Sequence, residues 1–128
     1  KFEDPFNYTL NIVGDNNEIK TQKVDLVDTF NYLIGLKVER IEHARGFVVV
    51  EGHIAQTGEK TLVVWRNTKE RSNSDLNDFL EKSAYNPADN EFSIIYVNGD
   101  NNVENLQTGD ENYKVRLIEE EFFKQMFS

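Results

Sequence analysis

The chain has no cysteine, little proline and no long apolar run, and each of these absences excludes a class of protein. Among its 128 residues are no Cys, two Pro and one Met. Without cysteine, neither a disulfide framework nor a thiolate metal site can form. No apolar run reaches the roughly 18 residues that a membrane-spanning helix needs, and the N-terminus lacks the pattern of a signal peptide. The sequence therefore predicts a soluble, cytoplasmic protein without a membrane partner.

Positive charge is also scarce. Lys and Arg number 14 against 23 Asp and Glu, which leaves a formal net charge of -9. Domains whose main task is to hold nucleic acid usually present a basic surface, because neutralising phosphates and releasing their counterions dominates that affinity. The charge balance therefore favours a protein over a nucleic acid as the main partner of the isolated chain.

The chain does contain enough apolar material for one folded domain. Hydrophobic residues make up 38% of it, and 12% of the residues are aromatic, nine of them Phe. Such a composition can offset the entropy lost on folding, and the length fits a single domain that spans residues 1–128. Because the only Met is Met126, Lys1 is not a translation start, and we expect the domain to be one part of a longer protein.

The first third of the chain predicts a β-hairpin followed by a helix. Residues 6–12 alternate apolar and polar side chains, as a half-buried strand does, and residues 18–24 can return antiparallel after the turn at residues 14–17. The period then changes to that of a helix, with Asp25 placed to cap its start and Gly35 to end it. Residues 37–42 are predicted as a short strand or an extended link.

The rest of the chain predicts a mixed sheet covered by helices. Residues 47–55 and 60–66 form a hairpin by turn length and composition, and a helix capped by Ser74 follows, with Ala84 on its apolar face. The apolar run at residues 92–97 is predicted as the central strand, parallel to residues 60–66 across that helix. Residues 98–110 are predicted as a loop and residues 113–118 as a strand. A last helix at residues 119–127 would present its apolar face through Phe122, Phe123, Met126 and Phe127.

These elements place the chain in the α/β class, as a mixed α+β domain: a mixed central β-sheet with an N-terminal hairpin and about three helices packed on it. The predicted core contains Phe30, Leu33, Val64, Ile94, Ile95 and Val97.

The sequence offers no catalytic, cofactor or metal site. His43 and His53 stand at no metal-ligand or catalytic spacing to another candidate, and we interpret them as surface or core-edge residues. The segment from Asn98 resembles the opening of a calcium loop, but Val103 occupies the position that needs Gly, so we interpret it as a turn. No glycine-rich phosphate loop is present.

Two groups of basic residues remain as candidates for contact with DNA or a partner. One group lies near Arg40 and Arg45 and is balanced by neighbouring Glu residues. The other comprises Arg66, Lys69 and Arg71, which leave a strand and enter a polar loop, where a rigid sheet could present them to a phosphate backbone. The alternative is that these three side chains pair with Asp75, Asp78 or Glu81 on the following helix.

Four segments carry a resemblance to a known family. They are residues 24–36 (VDLVDTFNYLIGL), 63–66 (VVWR), 96–100 (YVNGD) and 115–122 (VRLIEEEF). In this order and spacing the chain, from about Pro5 to Phe127, resembles the C-terminal region of the adenine-specific DNA methyltransferase, or modification, subunit of type III restriction-modification systems. The resemblance implies a C-terminal accessory domain that packs on an upstream methyltransferase core and serves assembly, with a second modification subunit or the restriction subunit as further partners.

The resemblance also implies the chemistry of the parent enzyme, which transfers a methyl group from S-adenosylmethionine to adenine in DNA. The family's catalytic Asp-Pro-Pro-Tyr and its cofactor-binding Phe-x-Gly-x-Gly are both missing from this chain, whose only prolines are Pro5 and Pro87. S-adenosylmethionine is therefore expected to bind the parent enzyme upstream of this chain, and DNA is expected to be reached through that enzyme. The alternative is a free-standing acidic protein-interaction module.

Overall fold

The mixed α+β architecture predicted from the sequence is confirmed. A computed structural model describes residues 2–83, 85, 91–103, 107–108 and 112–127. A 3-10 helix at Pro5–Asn7 comes first. The strands are β1 (Thr9–Val13), β2 (Ile19–Lys23), β3 (Leu36–Ala44), β4 (Phe47–Ile54), β5 (Lys60–Arg66), β6 (Ile94–Val97), β7 (Gln107–Thr108), β8 (Asn112–Tyr113) and β9 (Val115–Leu117); the helices are α1 (Leu26–Leu33), α2 (Asn73–Lys82) and α3 (Ile118–Met126).

The main sheet has five strands in the order β3-β4-β5-β6-β9. Strand β4 runs antiparallel to both β3 and β5, whereas β6 is parallel to both β5 and β9. The predicted parallel pairing across α2 is therefore confirmed. The run at residues 92–97 was predicted as the central strand, but β6 is the fourth strand and β5 occupies the middle.

The sheet is covered on both faces, which explains why its inner strands are apolar throughout. Side chains alternate between the faces of a strand, so Leu62 and Val64 of β5 join the cluster with α2, whereas Val63 and Trp65 join the cluster with α1 and α3. All four residues of β6 are buried. The buried residues of the predicted core are Phe30, Val64, Ile94, Ile95 and Val97. Leu33 is only half-buried, and its assignment to the core was wrong.

The caps of α1 lie where the sequence predicts them, but the cap of α2 does not. The Asp25 side chain accepts a hydrogen bond from Asp28 N, and Gly35 has a left-handed φ of 67° just after the helix. In α2 the cap is Ser72 and not Ser74, because Ser72 and Asp75 form a capping box that satisfies two backbone N–H groups reciprocally. Ala84 lies outside the described residues.

The N-terminal hairpin is more exposed than its alternating pattern predicts. Phe6 belongs to the 3-10 helix, the first strand begins at Thr9, and every residue of β1 and β2 is exposed. The prediction of a half-buried strand was therefore wrong, because the hairpin forms a separate two-stranded sheet. In contrast, the predicted short strand or link at residues 37–42 is the nine-residue edge strand β3.

The C-terminal prediction was right about the helix and partly wrong about its apolar face. Glu119, Glu120 and Glu121 occupy the first turn of α3, as expected for the positive end of a helix dipole. Ile118 is buried and Phe122 packs on the core, but Phe123, Met126 and Phe127 are exposed. The strand predicted at residues 113–118 covers Val115–Leu117, while Asn112–Tyr113 pairs with Gln107–Thr108 inside the predicted loop. None of the described helices is long and apolar enough to cross a membrane.

Candidate functional site

The candidate contact residue Arg66 ends β5 and is buried, with only 1% of its surface exposed. Its Nη1 donates to Asn73 Oδ1 at 3.1 Å, and its Nη2 donates to the carbonyl oxygen of Asp100 at 3.1 Å. The guanidinium thus joins the first turn of α2 to the loop that follows β6. Arg66 therefore stabilises the fold at the carboxyl ends of the parallel strands.

Asn98 extends the pairing of β5 and β6 beyond their last residues. The backbone N–H of Arg66 donates to Asn98 Oδ1 at 2.9 Å, and Asn98 Nδ2 donates back to the Arg66 carbonyl at 2.8 Å. The same Nδ2 also donates to the Phe2 carbonyl at 2.9 Å. Because both bonds to Arg66 are buried, the backbone groups of Arg66 depend on the Asn98 amide and not on water.

Glu119 contributes a carboxylate to this edge. Both of its carboxylate oxygens accept from the backbone N–H of Gly99 at 3.0 Å, and Phe2 N donates to Oε2 at 3.3 Å. Burial lowers the pKa of the Arg66 guanidinium, and the Glu119 carboxylate opposes that change. Arg66 keeps its charge, because the ordinary pKa of a guanidinium lies far above neutral pH.

Arg66 and Glu119 line a polar cavity of about 290 Å³ at the carboxyl ends of β5 and β6. Two cationic side chains, Arg66 and Arg71, face it together with the acidic Glu3, Asp100 and Glu119. Acidic side chains thus outnumber basic ones around the cavity, which weakens its attraction for a phosphate group.

The second candidate, Arg71, supports the turn between β3 and β4. Its Nε donates to the Arg45 carbonyl at 2.7 Å, and its Nη1 donates to the Glu70 carbonyl at 3.0 Å. Gly46 sits directly against this guanidinium with a φ of 83°, and a Cβ there would lie 2.7 Å from Arg71 Nε. Arg71 is therefore occupied by backbone carbonyls, although it remains partly exposed.

The third candidate, Lys69, is the one that projects into solvent. Its side chain is 77% exposed, and its Nζ lies 3.7 Å from Glu3 Oε2. The structure thus brings Arg66 and Arg71 to one cavity and leaves Lys69 outside it. Among the described ion pairs, none joins these three side chains to Asp75, Asp78 or Glu81. The predicted pairing survives only as a charge interaction of Arg71, which adds to the Ser72 hydrogen bonds that lower the pKa of Asp75.

The remaining chemistry-bearing residues lie apart from this edge. His43 is exposed on β3, and His53 Nδ1 lies 3.1 Å from Glu39 Oε1 on the same hairpin. In the part of the chain that the structure describes, no group of three His, Asp or Glu residues is placed to hold a metal ion.

Sequence reasoning missed the structural roles of Asn98 and Glu119 at this edge. A usable signal was present, because polar residues that directly follow two parallel strands meet at one end of the sheet. It missed the burial of Arg66 because that residue ends a strand of apolar side chains that is covered on both faces.

Comparisons of the chain with protein-family models, curated proteins and solved structures found no match.

Proposed function

We propose that this chain is the C-terminal accessory domain of an adenine-specific, S-adenosylmethionine-dependent DNA methyltransferase, the modification subunit of a type III restriction-modification system. In this role the domain packs on the upstream methyltransferase core, serves assembly and contributes a contact to DNA. It is cytoplasmic and does not itself catalyse methyl transfer. A second modification subunit or the restriction subunit is its further partner.

The observation that carries this proposal is the meeting of all four resembling segments at one aromatic side chain. Phe30, from residues 24–36, lies 5.9 Å from Trp65 and 5.2 Å from Tyr96 between ring centroids. Its ring also stacks on Phe122 at 6.4 Å. Each of the other three segments thus contributes one ring to Phe30. If the four segments resemble the family because they share its fold, they should be adjacent in space although they are scattered along the chain. Short matches that arose by chance would not be expected to meet.

A second point of convergence is polar. Arg66, Asn98 and Glu119 come from three of the four segments and meet at the carboxyl edge of the parallel strands. Buried polar groups of this kind require partners from specific neighbouring elements, because an unpaired buried group is costly. This supports the proposal that the four segments specify one folded unit, held together for positioning and not for chemistry.

The test of the proposal begins with the reading frame upstream of the codon for Lys1. The proposal expects a methyltransferase core there, with an Asp-Pro-Pro-Tyr and a Phe-x-Gly-x-Gly. In that parent enzyme, deletion of residues 1–128 should leave S-adenosylmethionine binding in place while assembly and methylation of adenine in DNA are lost. A parent frame without those motifs, or a deletion that methylates as well as the intact enzyme, would contradict the proposal.

The alternative, a free-standing acidic interaction module, is favoured by one observation. Phe123 and Phe127, with rings 5.4 Å apart, are 65% and 79% exposed at the end of α3. Together with Met126 they give an acidic domain an apolar surface of the kind that binds other proteins. A start codon close upstream of Lys1, without a methyltransferase core, would favour this function over the first.

A further inference from the structure

The open edges of the described sheets differ in how they are protected against pairing with another strand. Exposed edges normally carry charged side chains, bulges or short strands, because unpaired backbone groups are templates for a further strand. Strand β3 carries four charged residues and a bulge between Val38 and Arg40, and β9 has only three residues. Strand β2 carries Lys20 and Lys23. Strand β1, with the sequence TLNIV, has neither charge, proline nor bulge.

The hairpin that contains β1 lacks the support that a two-stranded sheet normally needs. An isolated hairpin is marginally stable in water, and three or more strands with a hydrophobic face are required for independent stability. All residues of β1 and β2 are exposed, including Leu10 at 46% and Ile12 at 43%. These two apolar residues are on the same face of β1, because side chains alternate along a strand. Their cross-strand partners on β2 are Gln22 and Lys20, so the hairpin is an incomplete sheet whose apolar side chains on this face lie along β1.

The register within the hairpin shows which backbone groups of β1 face outward. Val24 N donates to Tyr8 O at 2.9 Å, and Gly14 N donates to Glu18 O at 2.8 Å. In an antiparallel ladder, hydrogen-bonded pairs alternate with pairs that are not hydrogen-bonded. The backbone groups of Leu10 and Ile12 therefore face β2, while those of Thr9, Asn11 and Val13 point away from it.

We propose that β1 is a docking edge for β1 of a second copy of this chain, paired antiparallel about a two-fold axis at Asn11. Thr9 of each copy then lies opposite Val13 of the other, and Leu10 lies opposite Ile12 of the other. Six outward-facing residues, three from each copy, form the new hydrogen-bonded pairs. The result is a four-stranded sheet with Leu10 and Ile12 of both copies gathered on one face, which is a self-complementary interface.

Charge also favours β1 as the place where two copies meet. The net charge of -9 opposes association in general, but β1 brings no charged residue to the contact. Antiparallel pairing places the hairpin tip of one copy, with Asp15 and the ion pair of Glu18 and Lys20, beside the base of the other hairpin. There Lys23 stands opposite Thr9 on the neighbouring strand. The proposal is independent of the proposed function, because it requires only the chain itself.

The first test is a matched pair of substitutions in the full chain. Asn11→Lys places two like charges directly opposite each other on the two-fold axis, whereas Thr21→Lys places the same charge on the neighbouring strand, away from the edge. Both remove the same hydrogen bond, from Thr21 Oγ1 to Asn11 Oδ1, and the two residues are cross-strand partners. Sedimentation equilibrium should show a monomer–dimer equilibrium for the native chain. Asn11→Lys should raise the dissociation constant about tenfold or more, and Thr21→Lys should change it little.

The second test reads the pairing residue by residue. Amide hydrogen exchange at increasing protein concentration should slow at Thr9, Asn11 and Val13, while Leu10 and Ile12, already bonded to β2, change much less. A native chain that stays monomeric at millimolar concentration would overturn the proposal, as would a dimer whose exchange pattern lacks this alternation. An equal effect of Asn11→Lys and Thr21→Lys would place the contact elsewhere and also overturn it.

Discussion

Asn98 hydrogen-bonds both backbone groups of Arg66, with its Oδ1 at 2.9 Å from Arg66 N and its Nδ2 at 2.8 Å from Arg66 O. The side-chain amide thereby imitates the next residue of a β-ladder. This relationship explains why Arg66 is held in place at the end of β5 and why the loop after β6 is fixed beside it.

Asn98→Ala should therefore destabilise the domain. It leaves the Arg66 N–H and C=O buried without a partner, which costs about 1–3 kcal/mol for an unsatisfied group. Urea unfolding measures the loss. The control is Asn102→Ala, which removes an exposed side chain with one side-chain hydrogen bond to Asn77 and should cost less than about 0.5 kcal/mol. Equal losses for the two variants would show that the Asn98 amide is not needed for the pairing.

Ile95 tests the assignment of the core. It is fully buried between β5 and β9, and Ile95→Ala should lower the free energy of unfolding by about 2–5 kcal/mol, as deletion of a core side chain does. Ile19→Ala on the exposed hairpin is the matched control and should change stability little. If the Ile95→Asp variant had the same melting temperature as the native protein, β6 would not be an inner strand.

The elements that the sequence predicted best are those whose apolar pattern is set by the two faces of the sheet. Residues 94–97 form a continuous apolar run, which only a strand covered on both sides requires, and β6 is such a strand. The α1 helix was predicted from the spacing of its apolar residues and its Asp25 cap.

The errors about Arg66 and about the first strand share a physical cause, which is that local pattern does not report tertiary partners. The cap of α2 is different, because a local pattern decides it. Ser72 and Ser74 are both capable of capping a helix, and only the position of Asp75 three residues after Ser72 decides between them. Arg66 looks like a surface charge until the sheet places Asn73 and Asp100 around it. The alternation in the first strand predicts one buried face, but no other described element covers it.

Tyr96 makes the stability of the domain decrease with pH in the alkaline range. Burial, and next the Glu121 carboxylate, raise the pKa of Tyr96 from 10.0 to about 12. Because the folded-state pKa is raised, the stabilisation is complete below pH 10 and is lost as pH rises from 10 to about 12. Over that interval Tyr96→Phe should reduce the slope of unfolding free energy against pH by up to about 1.4 kcal/mol per pH unit.

The double variant with Tyr85→Phe should reduce that slope further, because the pKa of Tyr85 is also raised to about 12, by burial and by Glu51. Chemical denaturation at a series of pH values measures both slopes. If the Tyr96→Phe variant kept the same slope as the native protein, the pKa of the Tyr96 phenol would be equal in the folded and unfolded states.

The isolated chain should neither bind S-adenosylmethionine nor methylate DNA, because the proposed function assigns both tasks to the upstream core. Calorimetric titration of the chain with S-adenosylmethionine measures binding, and the parent enzyme serves as the positive control. Micromolar binding of S-adenosylmethionine by the chain alone would contradict the assignment of cofactor binding to the upstream core.

Lys69 is the sharpest test of contact with DNA. Charge reversal at Arg66 or Arg71 would disturb the fold, because their guanidinium groups hold backbone carbonyls, whereas Lys69 is exposed and pairs only loosely with Glu3. If the domain contacts DNA in the parent enzyme, Lys69→Glu should lower the salt dependence of DNA binding by about one phosphate contact. DNA binding by the isolated chain should stay weak, as its net charge of -9 implies.

Lys82→Glu is the matched control for this experiment. Lys82 is 66% exposed on α2 and lies 3.9 Å from Asp78, so its exposure and ion pair resemble those of Lys69, with 77% and 3.7 Å. Because both variants change the net charge equally, a lower salt slope in Lys69→Glu alone would locate the contact at the turn between β5 and α2. Equal slopes in the native enzyme and both variants would assign this surface to a protein partner, since loss of a phosphate contact means that one counterion fewer is released on binding, which lowers the slope.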